Sequence, residues 1–235
     1  MADIVNPSTL YDITYGNGVY VASGNSGTIL TSTDSINWVS RSSSTSTDII
    51  NWASRFSGAS NTLRCITYAN NLYVIVGYNG YIFTSPDGIV WTSRNSGTTN
   101  NLQSITYDNG LYVIVGDTGT ILTSTDGTTW TSRNSGTTNA LYSITYANGL
   151  YVAVGGTNGI TGTILTSTDG LTWTSRTNGN TSYLRGITYD NGLYVVVGND
   201  GNIFTSIDGL TWTSRTSGTT NHLHDIMYGN IYIKY

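Results

Sequence analysis

Apolar and polar positions alternate in short runs along this chain, and the runs recur. Residues Leu102–Ala140 read "LQSITYDNGLYVIVGDTGTILTSTDGTTWTSRNSGTTNA". Four stretches rich in β-branched and aromatic residues ("SITY", "LYVIVG", "TILTS", "TWTSR") are separated by Gly, Asn and Asp. That pattern predicts four strands joined by tight turns. Asn109-Gly110 lies between the first two, and this pair favours a type I′ hairpin because both central residues need positive φ. The pair recurs at Asn17-Gly18, Asn148-Gly149 and Asn191-Gly192, with Asn70-Asn71 in the remaining copy. The second stretch is apolar at successive positions, which predicts a strand covered on both faces. No segment has helical periodicity.

Aligned on the Ile of the "ITY" element, the copies fall at Ile13, Ile66, Ile105, Ile144, Ile187 and Ile226, with steps of 53, 39, 39, 43 and 39 residues. The unit is therefore 39 residues with two insertions. One is a tandem duplication, "STDSINWVSR" at Ser32–Arg41 and "STDIINWASR" at Ser46–Arg55. The other, "GTNGITGT" at Gly156–Thr163, lengthens one connection. Four antiparallel strands in about 40 residues describe a propeller blade. The expected fold is all-β, a single β-propeller over residues 1–235, with units at 10–62, 63–101, 102–140, 141–183 and 184–222 and a partial unit at 223–235. A six-bladed form with an incomplete last blade is the first expectation, and a five-bladed form is the alternative. A half blade leaves strand edges open to other chains, so the sequence predicts either closure between the two ends of the chain or a homo-oligomer.

Composition narrows the function. Charged residues make up 9% of the 235 residues, with 9 Lys+Arg against 13 Asp+Glu, and every acid is Asp. A nucleic-acid partner calls for a basic stripe to neutralise phosphates, and none is present. No apolar run reaches the length of a membrane span. The N-terminal "MADIVNPSTLY" lacks the basic and apolar regions of a signal peptide. Synthesis in a cytoplasm, with association to a virion or other particle, is the expectation. Cys65 is the single cysteine, so no intrachain disulfide forms. The 18 Tyr and 6 Trp supply large apolar area and stacking surfaces.

The stretch "STDGTTW" resembles the Asp-box, or bacterial neuraminidase repeat, with one residue fewer than that family's Ser-x-Asp-x-Gly-x-Thr-Trp. Its residues here are Ser124, Asp126, Gly127, Thr129 and Trp130, and further copies end at Trp91, Trp173 and Trp212. The first two copies, which hold Asp34 with Trp38 and Asp48 with Trp52, carry Ser35 and Ile49 where the others have Gly. The resemblance implies a propeller with this motif in the turn between the third and fourth strands. Asp34, Asp48, Asp87, Asp126, Asp169 and Asp208 then hold that turn, since an Asp at a turn start accepts from the following N–H groups. Each of these Asp residues has an Arg seven residues on, Arg41 to Arg215. A copy in every unit reads as scaffold, with six anion sites as the alternative.

Positions that vary while their neighbours stay fixed are the candidate binding residues. Two before the "ITY" Ile stand Tyr11, Arg64, Gln103, Tyr142, Arg185 and His224, and one before it stand Asp12, Cys65, Ser104, Ser143, Gly186 and Asp225. On a propeller this column rings one end of the central channel, and the mixture of Tyr, Arg, Gln and His suits a polar ligand. A solvated, unconstrained strand edge is the other reading. The second-to-third strand loops add Tyr78, and the fourth-to-first connectors ("NSGTTN", "TSGTTN") barely vary.

Sialidases share the repeat, and the resemblance implies for them an arginine trio, a Tyr nucleophile assisted by Glu, and an acidic Asp. This chain has no Glu and no Arg-Ile-Pro signature; Arg64 and Arg185 stand in "RCIT" and "RGIT". Asp12 and Asp225 are the one conceivable carboxylate pair, and His222 and His224 are too few for a metal site alone. No catalytic residue, cofactor or metal is expected. The resemblance extends to propellers of phage and bacterial surface proteins and to photosystem II stability factor-like proteins. The expectation is therefore a non-enzymatic recognition module, carbohydrate-binding in a lectin-like manner, with a glycan or cell-surface protein as partner. A structural or assembly protein acting through protein contacts is the alternative.

Overall fold

The computed structural model of the chain describes residues 9–41, 62–157, 161–176 and 182–227. The described residues form twenty strands in five four-stranded antiparallel sheets, each strand hydrogen-bonded to the next in sequence. Sheet one holds β1 (Leu10–Gly16), β2 (Val19–Gly24), β3 (Ile29–Ser32) and β4 (Val39–Arg41). Sheet two holds β5 (Leu63–Ala69), β6 (Leu72–Gly77), β7 (Ile82–Ser85) and β8 (Thr92–Arg94). Sheet three holds β9 (Leu102–Asp108), β10 (Leu111–Gly116), β11 (Ile121–Ser124) and β12 (Thr131–Arg133). Sheet four holds β13 (Ala140–Ala147), β14 (Leu150–Thr157), β15 (Thr161–Ser167) and β16 (Thr174–Arg176). Sheet five holds β17 (Leu184–Asp190), β18 (Leu193–Gly198), β19 (Ile203–Ser206) and β20 (Thr213–Arg215). The Asn-Gly turns take the expected form, with Asn109 at φ 49° and Gly110 at φ 75°.

Two compact units divide the chain: residues 1–114 with 122–132, and residues 115–121 with 133–235. Within the first, Val21 and Ile29 of sheet one pack on Leu63, Tyr73, Ile75, Phe83 and Trp91 of sheet two. The opposite face of β6, through Val74 and Val76, packs with Ile82 on Leu102, Tyr112, Ile114 and Leu122. This explains why the second strand is apolar throughout: its two faces enter two different cores. In the second unit Val152, Val154 and Ile164 pack in the same way on Leu184, Tyr194 and Phe204. One Tyr per interface adds a directed bond. Tyr112 Oη donates to Ala69 O at 2.6 Å and Tyr194 Oη to Ala147 O at 2.6 Å. Tyr73 Oη donates to Gly16 O and Val19 O. Burial pushes the phenols of Tyr73, Tyr112 and Tyr194 up to about 12.

The Ser-x-Asp turn is a closed set of hydrogen bonds. Thr128 N–H and Thr129 N–H both donate to Asp126 Oδ1 at 2.8 Å, Ser124 Oγ donates to it at 2.8 Å, and Gly127 N–H donates to Ser124 Oγ at 2.8 Å. Asp87, Asp169 and Asp208 repeat the arrangement. In Asp34, Asn37 takes the place of Thr and adds a side-chain bond at 2.7 Å. The arginines complete the scaffold. Arg41, Arg94, Arg176 and Arg215 each donate from Nε to a Thr of the third strand at 2.8 Å, tying the fourth strand to it. Asp48 and Trp52 lie outside the described residues.

These turns predict an acid response. Donated backbone N–H groups hold the carboxyls of Asp126, Asp169 and Asp208 well below the usual carboxylate range. A carboxylate depressed in the folded state stabilises it above the unfolded value of about 4, and that contribution is lost as pH falls toward the folded value. Urea midpoints are therefore expected to hold between about pH 5 and 7 and to drop below about pH 4. Asp126→Asn flattens part of that drop. A midpoint indifferent to pH down to about 2 would contradict the account.

Five sheets among the described residues match the five-bladed alternative rather than the six-bladed expectation. Residues 223–227 form no strand. They touch sheet five through Leu223 N–H, which donates to Gly198 O at 3.0 Å, and Asp225 Oδ1 accepts from its neighbour Ile226 N–H at 2.8 Å. A first strand needs its hairpin mate, and the matching stretch lies outside the described residues.

Candidate functional site

The variable column coincides with a local irregularity of the first strand. In β1 the pairing with β2 jumps from Leu10 to Asp12, in β5 from Leu63 to Cys65, in β13 from Leu141 to Ser143 and in β17 from Leu184 to Gly186. The residue left over is Tyr11, Arg64, Tyr142 or Arg185. Each is the extra residue of a β-bulge, which frees its side chain from the ladder and re-aims it. The opposing glycine makes room. A Cβ on Gly77 would stand 2.3 Å from Thr62 O, and one on Gly198 2.0 Å from Tyr183 O. Gln103 occupies the same place in β9 and is buried.

In the first unit the bulges bring three predicted residues together. The Arg64 guanidinium carbon lies 4.7 Å from the Tyr11 ring centre and 5.8 Å from that of Tyr78. Tyr78 opens the turn Tyr78–Gly80, whose backbone is fixed by Tyr78 N–H donating to Thr62 O at 2.9 Å. Arg64 Nε is buried and has no hydrogen-bond partner among the described residues. In the second unit Arg185 lies 5.8 Å from the Tyr142 ring centre and 5.4 Å from that of Tyr183, and these two rings meet edge to face at 5.8 Å. Here Nε is spent: it donates to Asn199 Oδ1 at 2.5 Å. Tyr183 was not among the sequence candidates; its only signal is its position two residues before the bulge. His224 is exposed and faces His222 at 6.3 Å, and His222 Nδ1 lies 3.9 Å from Asp200 Oδ1. It joins no Tyr–Arg stack.

The neighbouring column is structural. Asp12 accepts from Ile13 N–H at 2.8 Å and from Ile66 N–H at 2.9 Å, bridging sheets one and two. Cys65 Sγ lies 4.0 Å from Ser104 Oγ and 3.9 Å from Ile105 O. Burial pushes the Cys65 thiol up, and the Asp12 carboxylate adds to the effect, so the thiolate needed for nucleophilic attack is scarce at neutral pH. The uniform connectors also have a structural cause. Ser96 Oγ donates to Thr98 O at 3.1 Å, and Asn79 N–H donates to Asn101 Oδ1 at 3.1 Å, so the connector clasps the Tyr78–Gly80 turn. Among the described residues no three His, Cys, Asp or Glu side chains gather as metal ligands. No helix among them is long and apolar enough to cross a membrane.

A planar cation beside tyrosine rings, as in each unit, can read a flat anionic or amide group with its N–H edge. Among curated proteins none matches this chain by sequence. Residues 47–160 match the model of the DUF6242 beta propeller domain. The solved structure of YCF48 bound to D1 peptide is similar at a TM-score of 0.66 and 16% identity, over 89% of this chain and 67% of that one. YCF48 from Cyanidioschyzon merolae is similar at 0.66 and 15%, over 93% of this chain and 76% of that one. The computationally designed Ika8 protein is similar at 0.66 and 14%, over 94% of this chain and 66% of that one. The sheets and these likenesses together make the fold an all-β propeller.

Proposed function

We propose that the chain is a non-enzymatic recognition module for polypeptide, with the bulged first-strand ends of each unit as separate binding positions, Tyr11 and Arg64 in the first and Tyr142 and Arg185 in the second. The carrying observation is that the bulges turn Tyr11, Arg64, Tyr142 and Arg185 out of their ladders while the rest of the unit is committed to scaffold. Tyrosine and arginine are the side chains that dominate protein recognition, because each combines a rigid plane with a polar edge. A propeller of similar fold, YCF48, is seen with a peptide of D1, which favours a protein partner here. The absence of enzymatic chemistry is supported by Asp12, whose oxygens are taken by two backbone N–H groups, and by the high thiol pKa of Cys65.

A carbohydrate-binding, lectin-like role is the second reading. It is favoured by the Tyr142–Tyr183 pair beside the Arg185–Asn199 bond, an aromatic platform next to polar edges of the kind sugars use. On that reading the Ser-x-Asp turns are Asp-boxes, and the protein sits on a phage or cell-surface particle.

The test is a peptide array and a glycan array, each probed with the natural protein and with an Arg64→Ala/Arg185→Ala double variant. Peptides retained by the former and lost by the latter are expected. Glycans alone, lost in the variant, would move the function to the lectin reading. Equal retention of peptides by both proteins would remove the bulged arginines from the site.

A further inference from the structure

The two Tyr–Arg stacks differ in a way that assigns them different tasks. Arg185 is internally satisfied through Asn199. Arg64 holds the equivalent bulge position in sheet two, but Tyr78 stands where sheet five has Asn199, and a tyrosine ring face offers no acceptor in the plane of the guanidinium. Among the described residues Arg64 makes no hydrogen bond or ion pair, and its Nε is shut off from water. A ligand therefore does not reach Nε, and the terminal Nη groups are the donors it can meet. The guanidinium carbon lies over the rings of Tyr11 and Tyr78 at 4.7 and 5.8 Å, which holds the group in place while its Nη edge carries no protein acceptor among the described residues. An edge of parallel N–H donors matches a carboxylate, which accepts two of them at once.

We propose that Arg64, beside Tyr11 and Tyr78, is a carboxylate-binding site, and that Arg185 is not its equivalent but a positioning residue for Tyr142 and Tyr183. Resting on the peptide reading above, the occupant is an acidic side chain or free C-terminus of the bound polypeptide. A sugar acid would present the same group, and the experiment separates the two. Tyr78 takes the place of the acceptor that would satisfy Arg64 internally. The inference does not extend to Gln103 or His224, which carry no stacked cation.

The experiment follows the Arg Nε–Hε resonances of the natural protein by NMR during titrations. The probes are sodium acetate, N-acetyl-alanyl-alanine with a free carboxylate, its C-terminal amide, and 3′-sialyllactose, at ionic strength held constant with sodium chloride. Acetate and the free-acid dipeptide are expected to move the Arg64 signal to saturation and to leave that of Arg185 in place. The amide should bind at least about tenfold more weakly, the loss expected for a hydrogen bond to a charged partner. Arg64→Gln should lose the free-acid dipeptide by about tenfold or more, while Arg185→Gln should change it less than about threefold. Tyr78→Asn should supply an internal acceptor and weaken acetate while keeping the fold. An Arg64 signal unmoved by every carboxylate, or moved equally by chloride, overturns the site. Equal losses in Arg64→Gln and Arg185→Gln overturn the division of tasks. Tight sialyllactose binding at Arg64 with no dipeptide binding leaves the carboxylate site standing and removes the peptide reading. Peptide retention on the array that survives Arg64→Gln keeps the peptide reading and removes the carboxylate site.

Discussion

Trp91→Ala is expected to destabilise the protein by about 3–5 kcal/mol, the cost of deleting a large buried aromatic. Trp91 is 1% exposed, packs in the core between sheets one and two, lies 6.2 Å from the Tyr73 ring and donates from Nε1 to Gly88 O at 3.1 Å. The substitution therefore removes apolar contact area and frees a buried acceptor in the same turn that Asp87 organises. Trp38 is its counterpart in sheet one. It makes the same bond, to Ser35 O at 3.1 Å, but is 37% exposed. Trp38→Ala should cost less than about 1.5 kcal/mol, because much of that ring is already in water. Urea unfolding of the two variants measures the contrast. Equal losses would mean that the interface between sheets one and two is not the one described.

Gly80→Ala is the second large effect, at about 3 kcal/mol or more. Two costs coincide at that residue. Its φ is +71°, where a side chain is disfavoured, and a Cβ would stand 1.9 Å from Thr98 O. The obstructing atom is backbone of the connector clasped by Ser96, so it cannot turn aside as a side chain would. Gly97 has a similar φ of +74° with no heavy atom within 4 Å of a Cβ. Gly97→Ala therefore isolates the conformational cost, expected at about 1 kcal/mol, and the difference between the two reports the clash. Gly80→Ala should also disturb the ring of Tyr78, and with it the stack on Arg64. Similar midpoints for the two variants would contradict the tight connector.

Much of this architecture is legible in the sequence because it rests on short-range chemistry. The Asn-Gly turns, the Ser-x-Asp turns and the strand that is apolar on both faces each follow from a few adjacent residues whose conformational needs are specific. The scaffold reading of Arg94 and its equivalents also follows from repetition, and the Thr partner across the sheet supplies its cause. The bulges are less legible. Nothing local marks Arg64 as the unpaired residue, since the irregularity goes with the close approach of Gly77 to Thr62 O, just before β5. What the sequence does register is the consequence, a column that varies because no ladder constrains it. The difference between Arg64 and Arg185 is invisible until Tyr78 and Asn199 are placed beside them. The same holds for Tyr183, which lies outside every aligned column of candidates. The number of sheets is ambiguous in sequence because "HDIMY" has the pattern of a first strand. A pattern alone does not make a strand, which needs a paired neighbour to satisfy its backbone.

The central claim is a division of labour: the Ser-x-Asp turns hold the fold, and the bulged first-strand ends meet the ligand. The most direct measurement is a backbone NMR map of the natural protein with a peptide selected from the array. The account predicts shifts concentrated at residues 9–13, 62–66 and 77–80 of the first unit or 140–143 and 182–186 of the second, with Asp87, Asp126, Asp169 and Asp208 unmoved. Shifts centred on those four turns, with Arg64 and Arg185 silent, would contradict it.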